Sequence, residues 1–168
     1  MISIIFKEEP VPQGMKITQS YGIIFNNQGQ ILLKVENKKG KQVYSFAGGT
    51  PEDFDANIEQ TLRRELVEEV NTTIKQDVYY VGFQLIDEHN HIPPYAQVRF
   101  TALIDTIGNK QPDPDNGETY DRLLTTPKNA IKLLNWGEVA KLQIEKAVEI
   151  AKQKFGITFN DNAPDMWV

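Results

Sequence analysis

Gly48-Gly49, closing the run Gln42-Val43-Tyr44-Ser45-Phe46-Ala47, and Arg64-Glu65-Leu66-Val67-Glu68-Glu69, further along after a Pro/Asp-containing loop, decide how this chain is read. Glu65, Glu68 and Glu69 stand at i, i+3 and i+4 of an amphipathic helical pattern, so they share one face and converge. Like charges at that spacing repel by roughly 0.2–0.5 kcal/mol per pair. They also lie toward the helix C-terminus, where the macrodipole opposes anions. A divalent cation among them removes both penalties, and carboxylate oxygens are hard ligands suited to Mg²⁺ or Mn²⁺. A solvated acidic face is the plain alternative, and the glutamates alone do not exclude it. The diglycine shifts the weight, because glycine lets backbone groups approach an ion or a phosphate closely.

This strand–loop–helix context resembles the Nudix box, G-x5-E-x7-R-E-U-x-E-E-x-G-U, where U is aliphatic. Arg64, Glu65, Leu66, Glu68 and Glu69 match its second half in register. The loop is one residue longer than in the family pattern, so the first glutamate maps to Asp55 counted from Gly49, or to Ala56 counted back from Arg64. That glutamate normally braces the arginine, and Asp55 or Glu59 are the candidates to replace it. The final glycine becomes Asn71, the next best residue for a left-handed helix cap. One extra loop residue costs little.

Outward from the box, Ile17 to Phe25 reads as a strand, Asn26 to Gly29 as a hairpin turn and Gln30 to Val35 as the return strand. The box helix is expected from about Asp55 to Val70, with Ile58, Leu62, Leu66 and Val70 buried. Asp77 to Leu85 and Tyr95 to Ile104 read as strands, the second with Ala96, Val98, Phe100, Ala102 and Ile104 on one face and Tyr95, Gln97, Arg99 and Thr101 on a polar face. A polar loop from Gly108 to Thr119, a short strand from Asp121 to Thr126, a helix beginning at Pro127 and a longer one from Glu138 to Phe155 complete the pattern. On the last helix Val139, Leu142, Ala147, Val148, Ala151 and Phe155 mark the packed side. This order makes an α/β fold plausible, and the resemblance implies the Nudix-like mixed sheet sandwiched between helices, an α/β/α sandwich.

The chain has 168 residues, no cysteine, 40% hydrophobic residues and a formal net charge of −5. One domain, residues 1–168, is the natural expectation. The lack of cysteine rules out disulfides and thiolate ligands and suits the cytoplasm. No secretory signal and no membrane span are visible. The acidic balance argues against general nucleic-acid binding.

The resemblance implies hydrolysis of a diphosphate linkage in a nucleoside diphosphate joined to another moiety. Carried over by position, Glu65, Glu68 and Glu69 would be metal ligands and the Gly48 carbonyl a further one, with Mg²⁺ or Mn²⁺ as cofactor. Arg64 is expected to hold a helix carboxylate, since its neighbours are acidic. The general base would be one of these glutamates or one from a later loop: Glu118 is the first choice and Glu88, in Asp87-Glu88-His89-Asn90-His91, the competitor. Asp113-Pro114-Asp115-Asn116-Gly117 reads as turn chemistry, because it lacks the full ligand set of a calcium loop. For the substrate, Tyr95 is the favoured stacking residue, Tyr44, Phe46 and Trp136 are further candidates, and Arg99 is placed to meet a phosphate. The expected partner is a phosphorylated, nucleotide-derived small molecule; a homodimer is compatible, while nucleic acid and membrane are not expected. A nucleotide-binding or sensor module on the same fold is the alternative function. An isoprenoid diphosphate isomerase on this fold would need a catalytic cysteine, which the chain lacks.

Overall fold

The computed structural model describes residues 1–168. Its elements run β1 (Ser3–Lys7), β2 (Ile17–Phe25), β3 (Ile31–Lys38), β4 (Lys41–Ser45), β5 (Ala47–Gly49), α1 (Ile58–Val70), β6 (Thr72–Asp87), β7 (Tyr95–Ile107), β8 (Asp121–Thr125), α2 (Pro127–Leu134), α3 (Glu138–Phe155) and β9 (Met166–Trp167). The strands join in the order β1-β6-β7-β2-β3-β8-β9, with β4 on β3 and β5 on β2. β2 and β7 run parallel, and the remaining pairs are antiparallel, so the sheet is mixed.

Helices cover both faces, which makes the architecture an α/β/α sandwich. Alternation along β2 shows how. Ile24 packs with Leu62, Leu66 and Val70 of α1, while Ile23 and Phe25 pack with Ala140, Ile144, Ala147 and Ala151 of α3. Burying both faces in this way gives two apolar layers, and the strands between them are apolar on both sides.

The helix that carries the glutamates is fixed at both ends by its own sequence. Asn57 caps the N-terminus by accepting from the Gln60 N–H at 2.9 Å. Asn71 ends it in the left-handed conformation, φ 44°, as its place in the box predicts. No basic residue lies in the last turn. The cation there comes instead from β8: Arg122 donates through Nη1 to the Val70 carbonyl at 2.8 Å and to the Gly108 carbonyl at 2.7 Å.

One departure from regular pairing positions the site. β2 and β3 share a single register pair, Phe25–Ile31, at their hairpin. Beyond it they diverge, and β5 fills part of the gap by pairing Ala47, Gly48 and Gly49 with Gly22, Tyr21 and Ser20. The diglycine therefore lies at the mouth of a split in the sheet.

Several boundaries differ from the sequence expectation. β6 begins at Thr72, directly after the α1 cap, because bulges within Thr73–Val78 let a polar stretch stay paired with β7. β1 and β9 are edge strands too short or too exposed to show periodicity. The polar face of β7 is not solvated: Arg99 and Thr101 are buried, and α3 packs against β7 there through Gln143. On α3, Val139, Ala147, Val148, Ala151 and Phe155 pack on the core as expected, but Leu142 is 42% exposed and Ile144, 1% exposed, takes the buried position. Ile144→Ala should accordingly lower unfolding free energy by about 2–5 kcal/mol, and Leu142→Ala by under about 0.5 kcal/mol. Urea unfolding of the two variants measures both, and equal losses would mean that the α3 packing described here is wrong.

Candidate active site

Arg64 is the hub of the site. Its Nε and Nη2 donate to the two oxygens of Asp55, both at 3.0 Å, and its Nη1 donates to Glu65 Oε1 and Glu68 Oε2, both at 2.9 Å. Nη2 also reaches the Thr50 carbonyl at 2.9 Å. Asp55 further accepts from the Glu52 N–H and the Thr61 hydroxyl. It thus does what the missing glutamate does in the family pattern, and the extra residue falls between Asp55 and Arg64. Glu59, the other candidate, pairs with Arg63 instead. Arg64 holds the Asp55 carboxyl well below the usual carboxylate range, chiefly through these hydrogen bonds.

Glu65 and Glu69 are buried and Glu68 is half-buried. Burial pushes the Glu65 carboxyl up to about 7, against the pull of Arg64. Glu69 is committed within the protein: Oε1 accepts from Lys34 Nζ at 2.7 Å and Oε2 from the Gly48 N–H at 3.0 Å. Burial raises its pKa as well, with Lys34 opposing. The two glycines are needed for closeness. A Cβ on Gly48 would strike the Ser20 carbonyl, and one on Gly49 would strike the Glu65 carboxylate.

A residue read only as turn chemistry completes the cluster. Carboxylate oxygens of Glu65, Glu68 and Asp115 lie within 4.8 Å of one another. Asp115 is carried there by a turn that closes on itself, with the Asp115 N–H donating to Asp113 Oδ1 at 2.8 Å, Gly117 N–H to the Asp113 carbonyl at 2.7 Å and Glu118 N–H to Asn116 Oδ1 at 2.8 Å. Alternating Asp/Asn positions before Gly117 were the only signal in the sequence. Glu118 lines a recess with Glu36, Asn37 and Tyr120. Glu88 sits at the β6–β7 turn, accepting from Tyr95 and Asn90.

The other expected residues divide between two recesses. Tyr95 lines one with Lys16, Gln19, Thr50 and Pro51. Phe46 and Arg99 line a second, of about 600 Å³, together with Tyr21, Lys34, Tyr44 and Trp136. Lys34 belongs both to this cavity and to the Glu69 pair, so the cavity and the carboxylates adjoin. The Tyr21 pKa is raised mainly by burial; Arg99 lowers it and Glu69 and Glu65 raise it, as their charges lie nearby.

The profile of the NUDIX domain matches residues 17–151. The chain belongs to the Nudix family. No curated protein matches the sequence significantly. Among solved structures, the Bacillus subtilis pyrophosphohydrolase BsRppH, in a mutant form, is similar with a TM-score of 0.65 and 16% identity, over 87% of this chain and 90% of that one. The E. coli ORF135 protein gives 0.56 and 23%, over 86% and 99%. The NUDIX domain of Shewanella oneidensis NrtR, solved with ADP ribose, gives 0.58 and 16%, over 80% and 87%. At these identities the likeness is one of fold, and it agrees with the sheet and helices of this Nudix chain.

The Asp55–Arg64 clamp makes a pH prediction. Folded Asp55 holds its proton more weakly than the unfolded chain, so its contribution is present above pH about 4 and is lost as pH falls below that. Asp55→Asn should lower the Tm at pH 7 by a few degrees, and the gap to the parent should narrow progressively as the pH is lowered below about 4. A gap independent of pH in thermal melts would contradict the clamp.

Proposed function

We propose that this Nudix protein hydrolyses a diphosphate linkage in a nucleoside diphosphate joined to another moiety, with Mg²⁺ or Mn²⁺ held by Glu65, Glu68 and Asp115. The observation that carries this reading is the convergence of those carboxylate oxygens within 4.8 Å beside a cavity of about 600 Å³. Family membership and the ADP ribose complex of the NrtR domain support a nucleotide-derived substrate.

The donor set fits a hard divalent cation: all oxygens, in a cluster that Arg64 only partly neutralises. When bound, such a cation supplies activation of water and charge neutralisation on the phosphate oxygens. The protein's own groups do the rest. Arg64 fixes Glu65 and Glu68 relative to each other and to the loop that bears Asp55, so the oxygens are oriented before substrate arrives. The proton that an attacking water must lose would pass to a carboxylate of the cluster that the cation leaves free. Lys34, at the junction of cluster and cavity, offers positive charge to a phosphate entering from the cavity side.

A second reading, a nucleotide-binding or sensor module, is favoured by one feature: Glu69 has an oxygen on Lys34 and the other on the Gly48 N–H, so it is less free to serve a metal. Turnover separates the two. Phosphate release from a panel of nucleoside-diphosphate-linked compounds should require Mg²⁺ or Mn²⁺, stop with chelator, and fall by at least about 100-fold in Glu68→Gln, with the melt unchanged. Metal-independent turnover, or full activity in that variant, would defeat the hydrolase reading. Calorimetry gives an independent check. Glu65 is partly protonated near pH 7, so Mn²⁺ binding should release protons at pH 6.5 and weaken as pH falls. Titrations in buffers of different ionisation enthalpy should show that release in the parent and not in Glu65→Gln.

A further inference from the structure

Arg99 is 3% exposed and has no carboxylate partner. Arg64 is tied to acidic side chains and Arg122 to backbone carbonyls. Arg99 spends only part of its fork on the protein. Nε donates to Gln143 Oε1 at 2.9 Å, Nη1 donates to the Gln97 carbonyl at 3.1 Å, and the guanidinium lies 4.7 Å from the Tyr21 ring centroid. The remaining hydrogens on Nη1 and Nη2 have no protein acceptor, and the residue lines the cavity of about 600 Å³. Burial without a counter-charge lowers its pKa to about 10. Thr101 Oγ1 is the one side-chain polar atom both sealed from solvent and unpaired, so the free hydrogens of Arg99 open into the cavity, where a ligand can accept them in place of water. A second buried group tells the same story. Gln84, 5% exposed, lines the same cavity, and its amide has no hydrogen bond within the protein. The rings of Tyr44, Phe46 and Trp136 line the same cavity, the last two packed edge to face at 5.6 Å.

A cavity that combines aromatic rings with a donor-only fork suits an aromatic ring that presents adjacent acceptors along one edge. We propose that Arg99 is the specificity-determining residue for the nucleobase end of the substrate, selecting a base with two neighbouring acceptors: N7 and O6 of guanine, or N3 and O2 of cytosine. Adenine sets an amino donor beside N7, and uracil sets an N–H between its carbonyls, so each opposes a donor to a donor or leaves the fork half-filled. Gln84, which can both donate and accept, accommodates the neighbouring edge without choosing. Gln143 acts through Arg99, as a positioning residue. The assignment rests on the hydrolase reading only for the place of the phosphates, since base binding needs no turnover.

Trp136 lies in the cavity wall and reports occupancy by fluorescence. The full chain in chelator is titrated with GMP, CMP, AMP and UMP and with inorganic phosphate, with Trp136→Phe as the control for signal from Trp167. GMP or CMP should bind at least roughly tenfold more tightly than AMP and UMP, and whichever is tighter names the base. Arg99→Lys, which keeps the charge and loses the fork, should shrink that ratio, and Arg99→Gln should abolish it. Equal binding of all bases, an unchanged ratio in Arg99→Gln, or quenching by phosphate alone as strong as by the nucleotides would overturn the proposal. Should Arg99→Gln fail to fold, the ratio in the parent and in Arg99→Lys decides. Base-selective binding in chelator without turnover in Mg²⁺ would sustain this proposal and remove the hydrolase reading; turnover indifferent to the base would do the reverse.

Discussion

The Arg64 guanidinium joins the loop before α1 to the helix, gripping Asp55 with one edge and Glu65 and Glu68 with another atom. Most of what is distinctive in the site follows from it. Several carboxylates lie together, mostly out of solvent, an arrangement that loses hydration and adds mutual repulsion. Arg64 returns some of that energy through charge-assisted hydrogen bonds, which are shorter and stronger than neutral ones. Because it is planar and donates along two edges, it also sets the angle between loop and helix, which a lysine would not do. The clamp makes the carboxylates rigid as well as tolerable, and rigidity is what allows hard oxygen donors to be aimed at one point.

The sheet supplies the second constraint. β2 and β3 part after Phe25–Ile31, so the backbone groups of β2 beyond that point need other partners. β5 provides them, and it does so with glycines because the α1 carboxylates crowd against it from one side and β2 from the other. The cavity lies next to the split, lined by Tyr21 of β2, Lys34 of β3 and Tyr44 of β4 and reaching across to Gln84 of β6 and Arg99 of β7. Lys34, on the far strand of the split, touches both the cavity and Glu69, which is why the two adjoin.

Much of this was legible in the sequence, for definite reasons. The glutamate spacing taken with the diglycine, and the Asn71 cap, are local signals that point one way together, and the helix and most strands lie where periodicity puts them. What escaped reading depends on contacts remote in sequence. Asp115 reaches the cluster through an Asx-type turn whose residues look like any polar loop. Arg122, from β8, is the cation at the α1 C-terminus that the helix itself lacks. Arg99 stands on an alternating strand, where polar residues ordinarily face water; only α3, packed across that face through Gln143, makes it buried. Leu142 misled for a related reason, since an exposed leucine at a heptad-like position is indistinguishable in sequence from a packed one. The choice between Asp55 and Glu59 as the brace for Arg64 was likewise decided by geometry alone.

Charge is distributed between the carboxylate cluster and the adjoining cavity in a way that ordinary stability would not favour. In the cluster Asp55, Glu65, Glu68, Glu69 and Asp115 are answered within the protein only by Arg64 and Lys34, leaving an excess of acidic groups. In the adjoining cavity Arg99 is buried with no acid paired to it. Moving a charge of each kind together would relieve both, yet the fold keeps them apart, with Tyr21 close enough to feel both Arg99 and the glutamates. Under the proposed reading, these two unrelieved charges of opposite sign would meet the two parts of one ligand, a phosphate with its cation and an acceptor-rich ring. The features that cost the fold stability are then the ones on which binding is proposed to rest.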